Sequence, residues 1–162
     1  MAGGKGKGGV AGEPGIRIIS ENRKARAAYS VDEKVEAGLQ LSGSEVKALR
    51  AGTANLSDAY ALPKGSELYL LNAHIGVYNP SSFFTHEPLR GRKLLMHREE
   101  IDRWVTKVRE RGYSIIPLLL YFKNGRAKVE LGLCRGKTHE DRRQDIKERE
   151  TKREMDRAMR RR

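Results

Sequence analysis

The chain has a single cysteine, Cys134, so it can form no internal disulfide, and its four histidines are never closer than eleven residues. No HExxH or Cys-His ligand spacing is present, so a metal centre would have to be assembled by the fold alone. There is no Gly-x-Ser-x-Gly nucleophile turn. The acids Glu36, Glu45 and Asp58 stand in no spacing that pairs them with His74, His86 or His97. No run approaches the roughly eighteen apolar residues of a membrane span. The first residues, MAGGKGKGGVAGEPG, lack the apolar stretch of a signal peptide. "GGKGKGG" looks like a phosphate-cradling loop, but it neither follows a strand nor opens a helix with Lys-Ser/Thr in place. The expectation is a cytoplasmic protein that is not an enzyme and needs no cofactor.

Charge is what the chain has in excess. Its 162 residues carry a net +12, and hydrophobic residues make up 38%, below the usual share of about 45–50%. One domain of ordinary size with tails outside the core fits both figures. Residues 1–30 hold six bases against two acids, and residues 135–162 hold twelve against seven, so three quarters of the net charge sits on the ends. Basic ends ask for a polyanion. A membrane surface is the poorer candidate, because neither end offers an apolar helix face beside its bases. A monomer is expected.

Hydrophobic spacing divides the chain into a Gly-rich flexible start at 1–16, a β-rich body at 17–136 and a basic tail at 137–162. From Tyr29 onward short strands alternate with turn signals. "NLSDAYALPKGSELYLLNAHIGVYN" reads as two strands joined by a Pro-Lys-Gly turn at 63–65. "SIIPLLLYFKNGRAKVELGLC" reads as a hairpin around Asn124-Gly125, with Pro117 at an edge or bulge. One long helix is expected from about His97 to Arg111, with Ile101, Trp104, Val105 and Val108 facing the core and Gly112 as its stop. In "EAGLQLSGSEVKALRAG" a strand carrying Leu39 and Leu41 breaks at Gly43. A helix then turns Val46 and Leu49 in and Lys47 and Arg50 out. Many short antiparallel strands with inserted helices suggest a small closed or partly closed barrel.

The tail, "RGKTHEDRRQDIKERETKREMDRAMRRR", has only Ile146, Met155 and Met159 as sizeable hydrophobes. Its acid-then-base pairs at i,i+4 (Asp145–Arg149, Glu148–Lys152, Asp156–Arg160) favour helix by about 0.2–0.5 kcal/mol each. Without an apolar stripe, that helix is expected to be largely disordered alone and ordered on a polyanion.

Candidate nucleic-acid contacts fall in two stretches of the body. "NRKARAAY" supplies Arg23, Lys24 and Arg26, either a solvated charge run or a phosphate grip. "NPSSFFTHEPLRGRKLL" supplies Arg90, Arg92 and Lys93, three bases within four residues that repel one another unless solvated or bound to an anion. Its Phe83 and Phe84 either stack on a base or pin the loop to the core. Glu45 and Lys47 suit a structural ion pair at the helix start at least as well as RNA contact. No RNP aromatics, GXXG clamp or helix-turn-helix is present, so recognition by shape, phosphates and 2′-hydroxyls fits better than reading of bases.

"NRKARAAY", "EAGLQLSGSEVKALRAG", "NLSDAY", "HEPLRGRKLL", "GYSIIPLLLYFKNGRAKVELGLCRGK" and "DRRQDIKERE" occur in order across about residues 17–150. Together they closely resemble the SsrA-binding protein (small protein B) family of bacterial trans-translation. The resemblance implies a mainly β fold: a small closed antiparallel OB-like barrel with two or three flanking helices and a basic C-terminal tail that is helical when bound. It implies binding to the tRNA-like domain of transfer-messenger RNA and entry into stalled ribosomes. There the protein imitates an anticodon arm at the small-subunit decoding centre, and the tail enters the empty mRNA channel. In the family the acid of "EAGL", the leucine of "RKLL" and the lysine after the hairpin lie on the RNA surface; here they are Glu36, Leu95 and Lys128. The full RNA-binding set expected is Asn22, Arg23, Lys24, Arg26, Glu36, Lys47, Arg50, Arg92, Lys93, Leu95, Lys123, Asn124 and Lys128. The tail set expected at the ribosomal RNA is Lys137, His139, Asp141, Arg142, Arg143, Ile146, Lys147 and Arg149. Arg142 stands where the family often has Lys. Glu140 occupies the place of a stacking His or Tyr in some members, with His139 one residue earlier.

Two rivals share part of this pattern. A ribosomal protein would have the charge and the barrel without a division of labour between barrel and tail. An RNA-processing enzyme of barrel fold would need convergent acids or a metal.

Overall fold

The structure is a computed structural model that describes residues 14–77, 86–137 and 139–161. The Gly-rich segment 1–13, the rings of Phe83 and Phe84 and the side chain of His139 lie outside the described residues. The chain runs β1 (Ile16–Glu21), α1 (Arg23–Ala28), β2 (Tyr29–Leu39), α2 (Gly43–Arg50), β3 (Ala54–Asn55), β4 (Tyr60–Lys64) and β5 (Glu67–Leu71). It continues with β6 (His74–Ile75), β7 (Arg92–Leu95), α3 (Arg98–Arg111), β8 (Ser114–Lys123), β9 (Arg126–Gly136) and α4 (His139–Arg160). The fold is mainly β, with four helices among the described residues.

Seven strands form one antiparallel sheet in the order β1-β8-β4-β5-β7-β2-β9, and β9 pairs in turn with β8. Short β3 and β6 pair separately. The β8–β9 hairpin turns at Asn124 and Gly125, whose φ angles of 51° and 78° are the left-handed pair that a two-residue turn matching strand twist requires. Pro117 sits at a register shift between β8 and β9, the place where a missing N–H costs no ladder bond. The inner face of the sheet carries Leu68, Leu70, Leu94, Leu120, Val129 and Leu131, all buried, and α2 adds Ala48 and Leu49. Helix α3 starts one residue after its cap His97 and stops at Gly112 in the left-handed conformation (φ 66°). It buries Ile101 and Trp104, and the indole Nε1–H donates to Glu33 at 3.1 Å.

Three local expectations shift. Residues 63–65 are not the turn, because Pro63 and Lys64 still pair with Leu68 and Glu67 and the chain reverses over Gly65 and Ser66. The first strand is not the one at Tyr29: β1 precedes "NRKARAAY", whose residues 23–28 form the six-residue helix α1 that leads directly into β2. In α2 the side chains turned fully inward are Glu45, Ala48 and Leu49, while Val46 is half-buried.

Helix α4 is built differently. Every described side chain in it is exposed except Asp145. None of the three expected i,i+4 ion pairs forms a salt bridge within 4.0 Å; Asp145 pairs with Lys137 instead.

Candidate nucleic-acid interface

Side-chain alternation places one continuous row on the outer face of the sheet. Register pairs Ile18 with Tyr121, Tyr121 with Lys128, Lys128 with Gly38, and Gly38 with Leu95, so the row crosses β1, β8, β9, β2 and β7. Cross-strand partners point to the same face. Leu95 is 51% exposed, far more than a leucine in a core strand, and Ile18 at the other end is 43% exposed. Gly38 lets Leu95 lie flat over β2: a Cβ there would stand 3.2 Å from Leu95 Cβ. Lys128 is half-buried and has no ion-pair partner among the described residues.

Glu36 stands one step along β2 from Gly38 on the same face. The buried Tyr121 donates its Oη–H to Glu36 Oε2 at 2.5 Å, and Lys123 Nζ donates to the same oxygen at 3.4 Å. The carboxylate is fixed by a rigid phenol yet keeps a third of its surface open. It can still accept hydrogen bonds from amino or 2′-hydroxyl groups, which a purely cationic surface cannot do. Asn124 and Arg126 at the hairpin tip are exposed beside Lys123, and Lys93 lies outward on β7 with its ammonium 3.6 Å from Glu67.

The structure removes two expected contacts from this surface. Arg92 is fully buried. Its Nε donates to Glu45 Oε2, Nη1 to Ala73 O at 2.7 Å and Nη2 to Pro88 O at 3.1 Å, which leaves no face for a phosphate. Asn22 is 1% exposed. Its amide donates to Leu56 O and Pro117 O, and its carbonyl accepts the Ala25 N–H that caps α1.

The anion that relieves repulsion in "RGRK" is therefore internal. Glu45 accepts from Arg90 Nη2 at 2.5 Å and from Arg92, and its partner is not Lys47. Burial alone would raise the Glu45 pKa, but the Arg92 and Arg90 hydrogen bonds outweigh it and hold the carboxyl below its ordinary value. Ser44 Oγ meets His86 Nδ1 at 2.9 Å, and His86 Nε2 meets Ile75 O at 2.9 Å. The start of α2 thus pins the segment that leads into β7 and Leu95.

The bases of α1 are exposed but locally balanced. Lys24 pairs with Asp58 at 3.0 Å and Arg26 with Glu21 at 2.9 Å, while Arg23 lies 3.8 Å from Glu21. Lys47 and Arg50 are exposed on α2, where Arg17 Nη2 donates to Arg50 O at 3.0 Å. In the tail Arg142, Arg143, Ile146, Lys147 and Arg149 are exposed, as is Asp141. Lys137 is not free to meet a partner, since its ammonium is held by Asp145 and by Arg26 O at 3.0 Å. Cys134 is buried, and burial pushes its thiol up to about 11, so it is no nucleophile. Among the described residues no three His, Cys, Asp or Glu side chains are grouped to hold a metal, and no helix is long and apolar enough to cross a membrane.

Comparison with known proteins agrees with the motifs. A family model described as SmpB protein matches residues 19–161. The SsrA-binding protein of Myxococcus xanthus (strain DK1622) is 80% identical over 161 residues, covering 99% of each chain. That of Anaeromyxobacter sp. (strain Fw109-5) is 58% identical over 160 residues, covering 98% of this chain and 97% of the relative. A solved structure described as "tmRNA-SmpB: a journey to the center of the bacterial ribosome" superposes with a TM-score of 0.63 at 42% identity, over 78% of this chain and 93% of that one. The chain belongs to the SmpB family of SsrA-binding proteins.

Proposed function

We propose that this protein binds the tRNA-like domain of transfer-messenger RNA and delivers it to ribosomes stalled without a stop codon, as a cytoplasmic monomer without catalysis or cofactor. The observation that carries the reading is the outer row Tyr121–Lys128–Gly38–Leu95 with Glu36 fixed beside it. It combines an unpaired cation, an exposed apolar side chain and an oriented acceptor on one rigid surface. A phosphate, a base or sugar face and a 2′-hydroxyl or amino group each find their complement there. The partners named for its relatives, SsrA RNA and the ribosome, fit that chemistry.

In this reading residues 17–136 form a closed OB-like barrel, supported by the return pairing of β9 with β8. The barrel takes the place of the missing anticodon arm at the small-subunit decoding centre. Residues 1–16 are a flexible leader. Residues 137–162 are the tail that enters the empty mRNA channel through Arg142, Arg143, Ile146, Lys147 and Arg149. The helical form described above is the bound one, and in the free chain most of it is unfolded.

A gel-shift titration at about 150 mM salt, with the tRNA-like domain, ordinary tRNA and a small-subunit rRNA fragment as competitors, tests the reading. Clear preference for the first supports it. Equal binding to all three would leave only a nonspecific cationic footprint and return the ribosomal-protein alternative.

A further inference from the structure

From the one described side chain of α4 that is not exposed, we infer that Lys137 and Asp145 form a latch that fixes the base of the tail helix to the body and sets its direction. The inference rests on the barrel-and-tail reading and assigns that reading a positioning pair.

Lys137 follows the last residue of β9 and is tied to the body twice. Its backbone N–H donates to Ala28 O at 3.1 Å, and its ammonium donates to Arg26 O at 3.0 Å, both carbonyls at the C-terminal end of α1. A cation is favoured there, because the last carbonyls of a helix are unsatisfied and carry partial negative charge. The Lys137 side chain is only 12% exposed, an unusual place for a lysine unless it is paired. The remaining partner is the Asp145 carboxylate, eight residues on and two turns inside α4. One ammonium thus joins α1, the end of β9 and the second turn of α4.

The latch answers a physical need of the tail. A helix of this length without an apolar stripe is limited by nucleation, since its first turn fixes about six dihedrals for one hydrogen bond. A tertiary tie at Asp145 holds the first two turns in register with the body and supplies that nucleus. Residues beyond Asp145 then need only propagate when a polyanion neutralises them. The same tie fixes the angle at which the helix leaves the sheet. Because Asp145 serves the latch, it is not available to Arg149, which agrees with the absence of their i,i+4 bridge among the described residues. Lys137 and Asp145 are therefore positioning residues that touch neither RNA nor ribosome.

The test uses the full chain and three variants: Lys137→Met, Asp145→Asn and the conservative Asp145→Glu. Amide hydrogen exchange by NMR should show residues 143–149 exchanging at least five-fold more slowly than 153–160 in the unmodified protein. Lys137→Met and Asp145→Asn should erase that difference with barrel amides unchanged, and Asp145→Glu should keep it. Peptide tagging on stalled ribosomes should fall about ten-fold in the first two variants and recover in Asp145→Glu, while affinity for the tRNA-like RNA stays within two-fold. Equal exchange of both segments in the unmodified protein would overturn the latch, as would protection that survives both disruptive variants. Failure of the unmodified protein to bind the tRNA-like RNA would instead overturn the functional reading and leave the exchange result standing.

Discussion

The sheet body and helix α4 solve the problem of a charged sequence in opposite ways. In the body, acids are held by the body's own donors: Glu45 is fully buried on Arg90 and Arg92, and the part-exposed Glu33 gathers Trp104 Nε1–H and Lys107. In α4 every described side chain but Asp145 faces water, and the basic excess is left for something else to neutralise. The difference shows why net charge alone does not locate an interface. "RGRK" is the more basic stretch of the two, yet it buries Arg92 and commits Arg90 to Glu45, while "DRR" presents both of its arginines. A buried acid converts a basic stretch from ligand-binding material into architecture.

The sharpest break in that comparison is Arg92→Met. It leaves Glu45 buried with its second guanidinium gone, a loss of about 3–5 kcal/mol for one broken partner of a buried pair. Urea denaturation should read it directly. A cost under about 1 kcal/mol would mean that Arg92 behaves as a surface base. The double variant Glu45→Leu with Arg92→Met should recover much of the loss, since no buried carboxylate is then left without its guanidinium.

Acid titration should separate the two regions next. Glu45 and Glu33 have folded pKa values below the ordinary 4.5, Glu45 through its arginines against burial and Glu33 chiefly through Lys107. A depressed folded pKa means that the unfolded chain binds the proton more readily. The stabilisation is therefore complete above 4.5 and is lost as pH falls through the lower folded values. Glu45→Gln should flatten the acid limb of the stability curve. If the limb keeps its slope, other carboxylates govern acid unfolding.

The proposed RNA surface gives a smaller effect in a different measurement. Leu95→Ala should weaken binding to the tRNA-like RNA about ten-fold, or 1.4 kcal/mol, while folding stability moves by less than about 0.5 kcal/mol. Loss of stability without loss of affinity would make Leu95 a packing residue. Lys128→Ala should weaken binding and also lower the dependence of affinity on salt, as expected for one lost phosphate contact.

Local signals were legible in the sequence and long-range pairing was not. Asn124-Gly125, Gly112 and the spacing around Trp104 each act within a few residues, so hairpin, helix stop and buried face could be placed directly. Glu45 and its arginines lie 45 and 47 residues apart, and an acid on an amphipathic helix looks the same in sequence whether it meets water or a guanidinium. Its burial had one trace, the Ser42-x-x-Glu45 capping pattern, in which Glu45 N–H donates to Ser42 Oγ at 3.4 Å. Asn22 was expected in the RNA-binding set beside three bases, but its carbonyl contacts come from Leu56 and Pro117, 34 and 95 residues away. Of the proposed interface, Glu36, Leu95 and Lys128 were named through family resemblance. The row that joins them through Gly38 follows only from strand register.

The smallest stability effect gives the strictest test of the division between body and tail. Ile146 is the largest aliphatic side chain of α4 and is 54% exposed, so Ile146→Ser removes no buried surface. The urea midpoint and slope should both stay put, within the roughly 0.5 kcal/mol of an ordinary surface change. Affinity for the tRNA-like RNA should also be unchanged, because the side chain is remote from the Glu36–Leu95 row in sequence and on a separate element. Peptide tagging should nevertheless drop, since a solvent-facing isoleucine on a predominantly charged helix gains from burial only against an external surface. A shift of the urea midpoint would show that α4 docks on the body through Ile146 and that the tail is not a separate unit. Unchanged tagging would move the ribosome contact to the arginines alone.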